Sequence, residues 1–105
     1  MHKKLLFLFL LVSSIVFSQE NSINELMASP NPFSNSTTIQ FTSSEQQPTL
    51  FTVKNVLGKT VHQQSFDAIK GKNSIFFDRR NLISGIYIYA VQSNKDFISK
   101  RFVIK

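Results

Sequence analysis

The chain is predicted to fold as an all-β protein, a small antiparallel sandwich of about seven strands that follows a cleaved signal peptide. Apolar and polar residues alternate with a period of two along most of the sequence after residue 27. Turn-forming residues interrupt these runs at short intervals, and no segment after the leader has the 3.6-residue period of an amphipathic helix. Short strands at this spacing indicate an immunoglobulin-like β-sandwich.

The first 18 residues have the parts of a secretory signal peptide. A basic start precedes an apolar run, and Val16 and Ser18 are small enough to precede a cleavage site, so we expect cleavage between Ser18 and Gln19. The apolar stretch of about 13 residues is shorter than the roughly 20 that a spanning helix needs. The sequence contains no cysteine for a lipid anchor. Stable membrane insertion is therefore not expected.

Composition predicts one domain behind this leader. Residues 19–27 form a short polar stub, and the domain is expected over residues 28–105. With no cysteine, the fold depends on its core, for which eight of the 11 phenylalanines of the sequence lie in the domain. Loss of Lys3 and Lys4 with the leader lowers the net charge from +6 to +4, which suits an anionic envelope surface and equally a basic β-domain without such a partner. The basic residues do not form a nucleic-acid motif, so no nucleic acid is expected as partner.

Six segments have the pattern of strands: residues 37–42, 49–54, 59–66, 74–77, 86–91 and 98–104. The fifth is apolar on both faces, which predicts a strand that is central or covered by a neighbour. Turns are expected at 55–58, 70–73, 84–85 and 93–96. The predicted core contains Ile39, Phe41, Phe51, Val53, Leu82, Tyr87, Tyr89 and Phe102.

Four short motifs have plain structural interpretations. In SPNPF, Pro30 and Pro32 flank Asn31 and prevent a helix, and Phe33 can anchor the segment in the core.

In NVLG, Asn55 can bond the backbone two residues on, and Gly58 supplies a positive φ. In NLISGIY, Leu82 can close the sandwich edge, Gly85 can turn the chain, and Tyr87 enters a core strand. The fourth motif, KRFVIK, can be an edge strand whose charges oppose aggregation. Its residues of interest are Lys100, Phe102, Val103, Ile104 and Lys105.

No arrangement of residues indicates catalysis, a cofactor or a metal. His62 is the single histidine after the leader, and Asp67 and Asp78 lack the spacing of metal ligands. The sequence has no phosphate-binding glycine loop and no nucleophile elbow. We therefore expect a protein that is not an enzyme and has no catalytic, cofactor-binding or metal-binding residues.

In this order the four motifs resemble the C-terminal sorting domain, type A, of proteins that Bacteroidetes export by the type IX (Por) secretion system. The resemblance covers residues 28–105. It implies that the first three motifs build and present the domain, and that the residues of KRFVIK contribute to recognition. Such domains normally follow a larger cargo, whereas residues 19–27 are too short for one. We therefore expect a sorting module without a cargo domain.

The resemblance implies recognition by the type IX translocon at the outer membrane and removal by a sortase-like protease, after signal peptidase has acted. The expected route leads through the inner membrane to the periplasm and then to the outer membrane surface or the extracellular space. One alternative stays open: a stand-alone exported immunoglobulin-like module that binds a polysaccharide or a protein through Tyr87 and Tyr89. The absence of tryptophan weighs against a sugar-binding face.

Overall fold

The computed structural model describes residues 21–105, and the predicted signal peptide with its cleavage site at Ser18 and Gln19 lies outside them. The described chain contains seven β-strands and no helix, so none of its segments is a helix that could cross a membrane. The strands are β1 (Ile23–Ser29), β2 (Ser36–Ser43), β3 (Gln47–Lys54), β4 (Thr60–Ala68), β5 (Gly71–Asp78), β6 (Gly85–Gln92) and β7 (Phe97–Ile104).

The strands form two antiparallel sheets that face each other across one core. One sheet has the order β1-β2-β5, and the other has the order β4-β3-β6-β7. Each strand places alternate side chains in the space between the sheets, which is the arrangement that a period of two predicts. The predicted all-β sandwich is confirmed.

Strand β1 corrects the predicted polar stub. Ile23 and Leu26 are 1% and 0% exposed, and β1 pairs with β2 from Ile23 to Ser29. The alternation is hidden in the sequence because the ladder is irregular between Asn24 and Met27, where Glu25 has a φ of 58°. The extra residue places the two buried side chains three positions apart rather than two. The folded unit therefore begins several residues before position 28.

The core joins side chains from both sheets. Seven of the eight predicted core residues are buried, whereas Leu82 is only partly buried and packs against the core from its edge. Phe77 of β5 contacts Phe51 and Phe102 of the opposite sheet, with ring centroids 6.2 and 5.5 Å apart. Such aromatic contacts supply the apolar burial that stabilises a small domain without disulfides.

Strand β6 is central in its sheet, as predicted, and its two faces differ in burial. Tyr87 and Tyr89 point into the core, at 4% and 1% exposed. On the other face Ala90 is 5% exposed, whereas Ile86 and Ile88 are 47% and 41% exposed, so the first half of this face is not covered within the described residues. The apolar outer face consequently needs an explanation other than burial within this fold.

Antiparallel pairing sorts the connections between the two ends of the sandwich. One end, here called the motif end, contains residues 30–35, 55–59 and 79–84 and the end of β7. The other end, here called the far end, contains residues 44–46, 69–70 and 93–96 and the start of β1. All four sequence motifs therefore meet at one end of the molecule, although the chain separates the first from the last by about 70 residues.

Candidate functional site

The SPNPF segment covers the free edge of β7 at the motif end. The Phe33 amide donates to the carbonyl of Val103 (3.0 Å), and the Lys105 amide donates to the carbonyl of Phe33 (2.8 Å). Asn31 adds two side-chain bonds, because its Nδ2 donates to the Arg101 carbonyl (3.2 Å) and its Oδ1 accepts from the Val103 amide (3.0 Å). The first motif thus satisfies backbone groups that an edge strand would otherwise expose.

The side chain of Phe33 fixes this segment to the core, as its sequence predicts. Phe33 is 2% exposed, and its ring stands edge-on to Phe102 at 5.1 Å and to Phe77 at 6.4 Å. Pro30 and Pro32 remain exposed on either side of Asn31, and the Pro30 carbonyl accepts from the Thr37 hydroxyl (2.6 Å). The prolines therefore shape the backbone while Asn31 and Phe33 make the contacts.

The β3–β4 turn has the geometry expected of NVLG. Asn55 Oδ1 accepts from the amides of Leu57 and Lys59, both at 3.0 Å, and the Gly58 amide donates to the Asn55 carbonyl (2.9 Å). Gly58 has a φ of 85°, a backbone conformation that is strained for any residue with a side chain. This turn leaves Val56 and Leu57 exposed at its tip.

The β5–β6 connection contains the third motif. The Tyr87 hydroxyl donates to the carbonyl of Ile83, four residues upstream, at 2.7 Å. This is the tyrosine-corner arrangement of immunoglobulin-like sandwiches, and it ties the loop to the start of β6. Leu82 packs against the core, and Gly85 begins β6 opposite Ile104 of β7. The three predicted residues of this motif therefore act structurally.

Arg79 joins two of the four motifs to the residue that follows SPNPF, and it was not singled out from the sequence. Its Nη1 donates to the carbonyls of Lys105 (2.8 Å) and Ser34 (3.0 Å), and its Nε and Nη2 donate to the carbonyl of Leu82 (3.2 and 2.9 Å). A planar guanidinium suits such convergent carbonyls better than a lysine would. The only signal in the sequence was a cation that directly follows a strand and precedes NLISGIY.

The predicted recognition residues of β7 divide into two groups. Phe102 and Ile104 are 0% and 1% exposed, so they hold the strand in place and cannot meet a partner directly. Lys100, Val103 and Lys105 are exposed. Lys100 lies further from the motif end, opposite Tyr89 of β6. Of the predicted group, Val103 and Lys105 are therefore the exposed side chains closest to the other motifs.

Charge is distributed unequally between the two ends. Exposed or half-exposed cations at the motif end outnumber its one acidic side chain, Asp78, whereas cations and carboxylates balance at the far end. The cations of the motif end are Lys54, Lys59, Arg79, Arg80 and Lys105. The charged residues of the far end are Glu45, Asp67, Lys70, Lys72, Lys95 and Asp96.

The far end holds the beginning of β1 rather than a reactive site. Asp96 accepts hydrogen bonds from the Ser22 backbone amide and from the Ser22 hydroxyl (2.6 Å). These bonds, the side-chain one first, hold the pKa of Asp96 below its ordinary value. The Ser22 hydroxyl also lies 3.1 Å from the hydroxyl of Ser93. This cluster holds Ser22, the residue that directly precedes β1, against the β6–β7 connection.

The alternative of a tyrosine-lined binding face receives no support from these positions. Burial raises the pKa of the Tyr89 hydroxyl, and both Tyr87 and Tyr89 lie inside the sandwich. His62 is half-buried beside Phe51 and Phe77, with ring centroids 5.8 and 5.3 Å away. Within residues 21–105 no group of three acidic, histidine or cysteine side chains could hold a metal ion.

Comparison with known proteins identifies the family. The family model of the secretion system C-terminal sorting domain matches residues 28–105, from within β1 to Lys105. No curated protein matches the chain. The matching family is a sorting signal and not a catalytic family. Because the match covers most of the sequence and includes all four motifs, the chain belongs to the type IX secretion system C-terminal sorting domain family.

Proposed function

We propose that this domain is recognised at the outer membrane by the type IX translocon through the motif end of the sandwich. The family is a type IX secretion sorting signal, which implies export to the cell surface or the extracellular space. One observation supports the place of recognition: SPNPF, the loop with NLISGIY, and the end of β7 are joined by hydrogen bonds from Asn31, Phe33 and Arg79.

Recognition at this end requires buried motif residues that hold the segments in place and exposed motif residues that can contact a partner. Phe33, Phe102 and Ile104 are buried and hold the segments together. The exposed side chains of Val103 and Lys105 are then presented on a surface whose backbone is already hydrogen-bonded. A preorganised surface loses little conformational entropy on binding, which favours affinity.

The position of Ser22, at the start of β1, fits this proposal. Ser22 is held at the far end by Asp96, so a folded passenger joined before residue 22 would sit away from the motif end. The translocon could then bind the motif end without a clash. A sortase-like protease would have to cut before Ser22, since Ile23 and Leu26 are buried and paired in β1.

Export would begin with the leader. We propose that signal peptidase cleaves between Ser18 and Gln19 and releases the chain into the periplasm. Amino-terminal sequencing of the exported protein checks this step: the expected first residue is Gln19, and a chain that keeps Met1 in the membrane fraction would contradict it.

A reporter fusion tests the function. Residues 21–105 are placed behind a signal peptide and a folded reporter, in a bacterium that has the type IX system and in a matched strain that lacks it. We expect export of the reporter only in the first strain. Removal of residues 100–105 should leave the reporter in the periplasm, because it deletes half of β7 together with the presented lysines.

Two substitutions separate the charges from the fold. Lys100→Ala with Lys105→Ala keeps the buried Phe102 and Ile104, and should reduce export if the lysines are contacted. Lys70→Ala with Lys72→Ala removes the same charge at the far end and should leave export unchanged. Export that continues after deletion of residues 100–105, or that is equal in the two strains, would reject the sorting function for this chain.

A further inference from the structure

The outer face of the four-stranded sheet carries an apolar row where alternation predicts polar side chains. Ile86 lies directly opposite Val103 across the β6–β7 ladder, and Ile88 follows two positions along β6. These three side chains are 47%, 36% and 41% exposed. These isoleucine and valine side chains are only partly covered within the described fold, and as a contiguous apolar row on the solvent side of a sheet they point to an interaction surface.

The row continues into a groove at the motif end. Val56 and Leu57 of the β3–β4 turn and Ile83 of the β5–β6 connection line this groove together with Ile86. The side chains of Val56, Leu57 and Ile83 are 71%, 88% and 78% exposed. The row and the groove, here together called the apolar face, contain six of the ten large hydrophobic side chains that are exposed in residues 21–105.

Cations flank the apolar face. In the strand register Ile88 pairs with Lys54 of β3 on one side and with Arg101 of β7 on the other. Lys59 lies at the end of the β3–β4 turn, next to the groove. Asp78, the acidic side chain at this end, belongs to the opposite sheet. The apolar face thus has a positive rim, and the described strands of its own sheet carry no acidic side chain at this end.

The opposite sheet has a different outer face. Its central strand β2 presents Thr38, Gln40 and Thr42 outward, which is the polar pattern expected of a solvated sheet. Its flanking strands expose two separate large hydrophobic side chains, Phe76 of β5 at 70% and Met27 of β1 at 48%. The contrast indicates that the apolar face is a specific property of the sheet that carries the terminal strand.

We propose that the apolar face is the docking surface for a protein partner whose own surface is apolar and bears carboxylates around its rim. This inference rests on the proposed function and names the chemistry of the recognised surface. A protein fits better than a lipid surface because the face has short aliphatic side chains and a groove that can admit a partner's side chain. Tyr87, the aromatic residue in the groove lining, is 4% exposed and donates its hydroxyl to the Ile83 carbonyl, so it does not project as an aromatic anchor in a membrane interface would. The cationic rim orients the partner by charge complementarity.

Two variants test the face without disturbing the core. Ile86→Thr with Ile88→Thr removes apolar area and keeps β-branched residues in the strand. Lys54→Glu with Arg101→Glu reverses the charge of the rim at two exposed positions. This second variant tests the face even if the first variant unfolds. The matched controls are Phe76→Thr and Lys70→Glu with Lys72→Glu. All are made in the reporter fusion, and thermal unfolding checks each fold.

The first readout is export, and the second is retention on outer membranes isolated from the strain with the type IX system and from the strain without it. Each test variant should lower export and system-dependent retention by about tenfold or more, while the controls match the parent. Retention of the parent should weaken as salt rises, because charges contribute to it.

Each contrary result has a distinct meaning. A parent fusion that is not exported rejects the proposed function itself. If either test variant folds and is exported as well as the parent fusion, the docking surface alone is overturned. Binding of the parent, but not of the variants, to vesicles of anionic lipid would also overturn the docking surface, because it would assign the face to a membrane. A dimer of the parent that is seen by light scattering and lost in the isoleucine variant would overturn it too, because it would assign the face to a second copy of the chain.

Discussion

Replacing Arg79 by alanine tests whether one side chain holds the motif end together. Its guanidinium donates to the carbonyl oxygens of Ser34, Leu82 and Lys105 at 2.8 to 3.2 Å. A hydrogen bond from a charged donor contributes about 1.5–3 kcal/mol, but Arg79 is partly exposed and water can replace part of each bond. With about 1 kcal/mol per carbonyl, Arg79→Ala should lower the free energy of unfolding by about 2–3 kcal/mol.

For a domain of this length that loss corresponds to a fall in Tm of roughly 10–20 °C. Thermal unfolding followed by circular dichroism measures it. Arg80→Ala is the matched control, because Arg80 is exposed and its one hydrogen bond within residues 21–105 is from its backbone amide to Asp78 Oδ1 (3.3 Å). The control should stay within about 0.5 kcal/mol of the parent. A Tm of Arg79→Ala within about 2 °C of the control would refute the role of Arg79 as the joint of the motif end.

Three further predictions concern the fold. Phe51→Ala should lower the free energy of unfolding, measured with urea, by about 3–5 kcal/mol because Phe51 is 0% exposed. Phe76→Ala, at an exposed site, should lower it by much less, and equal losses would show that the inward face of β3 is wrongly assigned. Tyr87→Phe should cost about 1 kcal/mol by the same assay, through loss of the hydroxyl bond to the β5–β6 loop, and a neutral result would contradict the corner. The lowered pKa of Asp96 means that its bonds with Ser22 stabilise the fold fully above the unfolded pKa and are lost as pH falls through the folded pKa. Between about pH 6 and about pH 2, Asp96→Asn should therefore show a weaker pH dependence of Tm than the parent, and parallel curves would contradict this linkage.

Much of the motif end was predictable as separate pieces. Gly58 and Asn55 form the turn that their residue types predict, since the positive φ and the side-chain bond to the backbone are local properties. Burial of Phe102 was likewise predictable from alternation, and Phe33 was expected to anchor its segment in the core. What local rules could not provide is that Phe33 pairs with the end of β7, because this contact joins residues about 70 positions apart.

The misses have physical causes of the same kind. Strand β1 was missed because its irregular register at Glu25 breaks the period of two. Arg79 was missed because a cation after a strand has no special signal until the carbonyls of Ser34 and Lys105 lie within its reach. Leu82 lies at the edge of the sandwich, as its motif predicts, but it is only partly buried, although it was also counted with the core.

By itself, the sequence determined the fold class, most of the core and the family, because alternation, turn chemistry and motif order are written along the chain. Only the tertiary structure decided which strands are neighbours, and hence that the motifs meet at one end. It also decided that Ile86, Ile88 and Val103 face outward together, with Ile88 between Lys54 and Arg101. Alternation assigns a side chain to one face of its strand, but the pairing of distant strands determines whether that face is covered and which charges stand beside it.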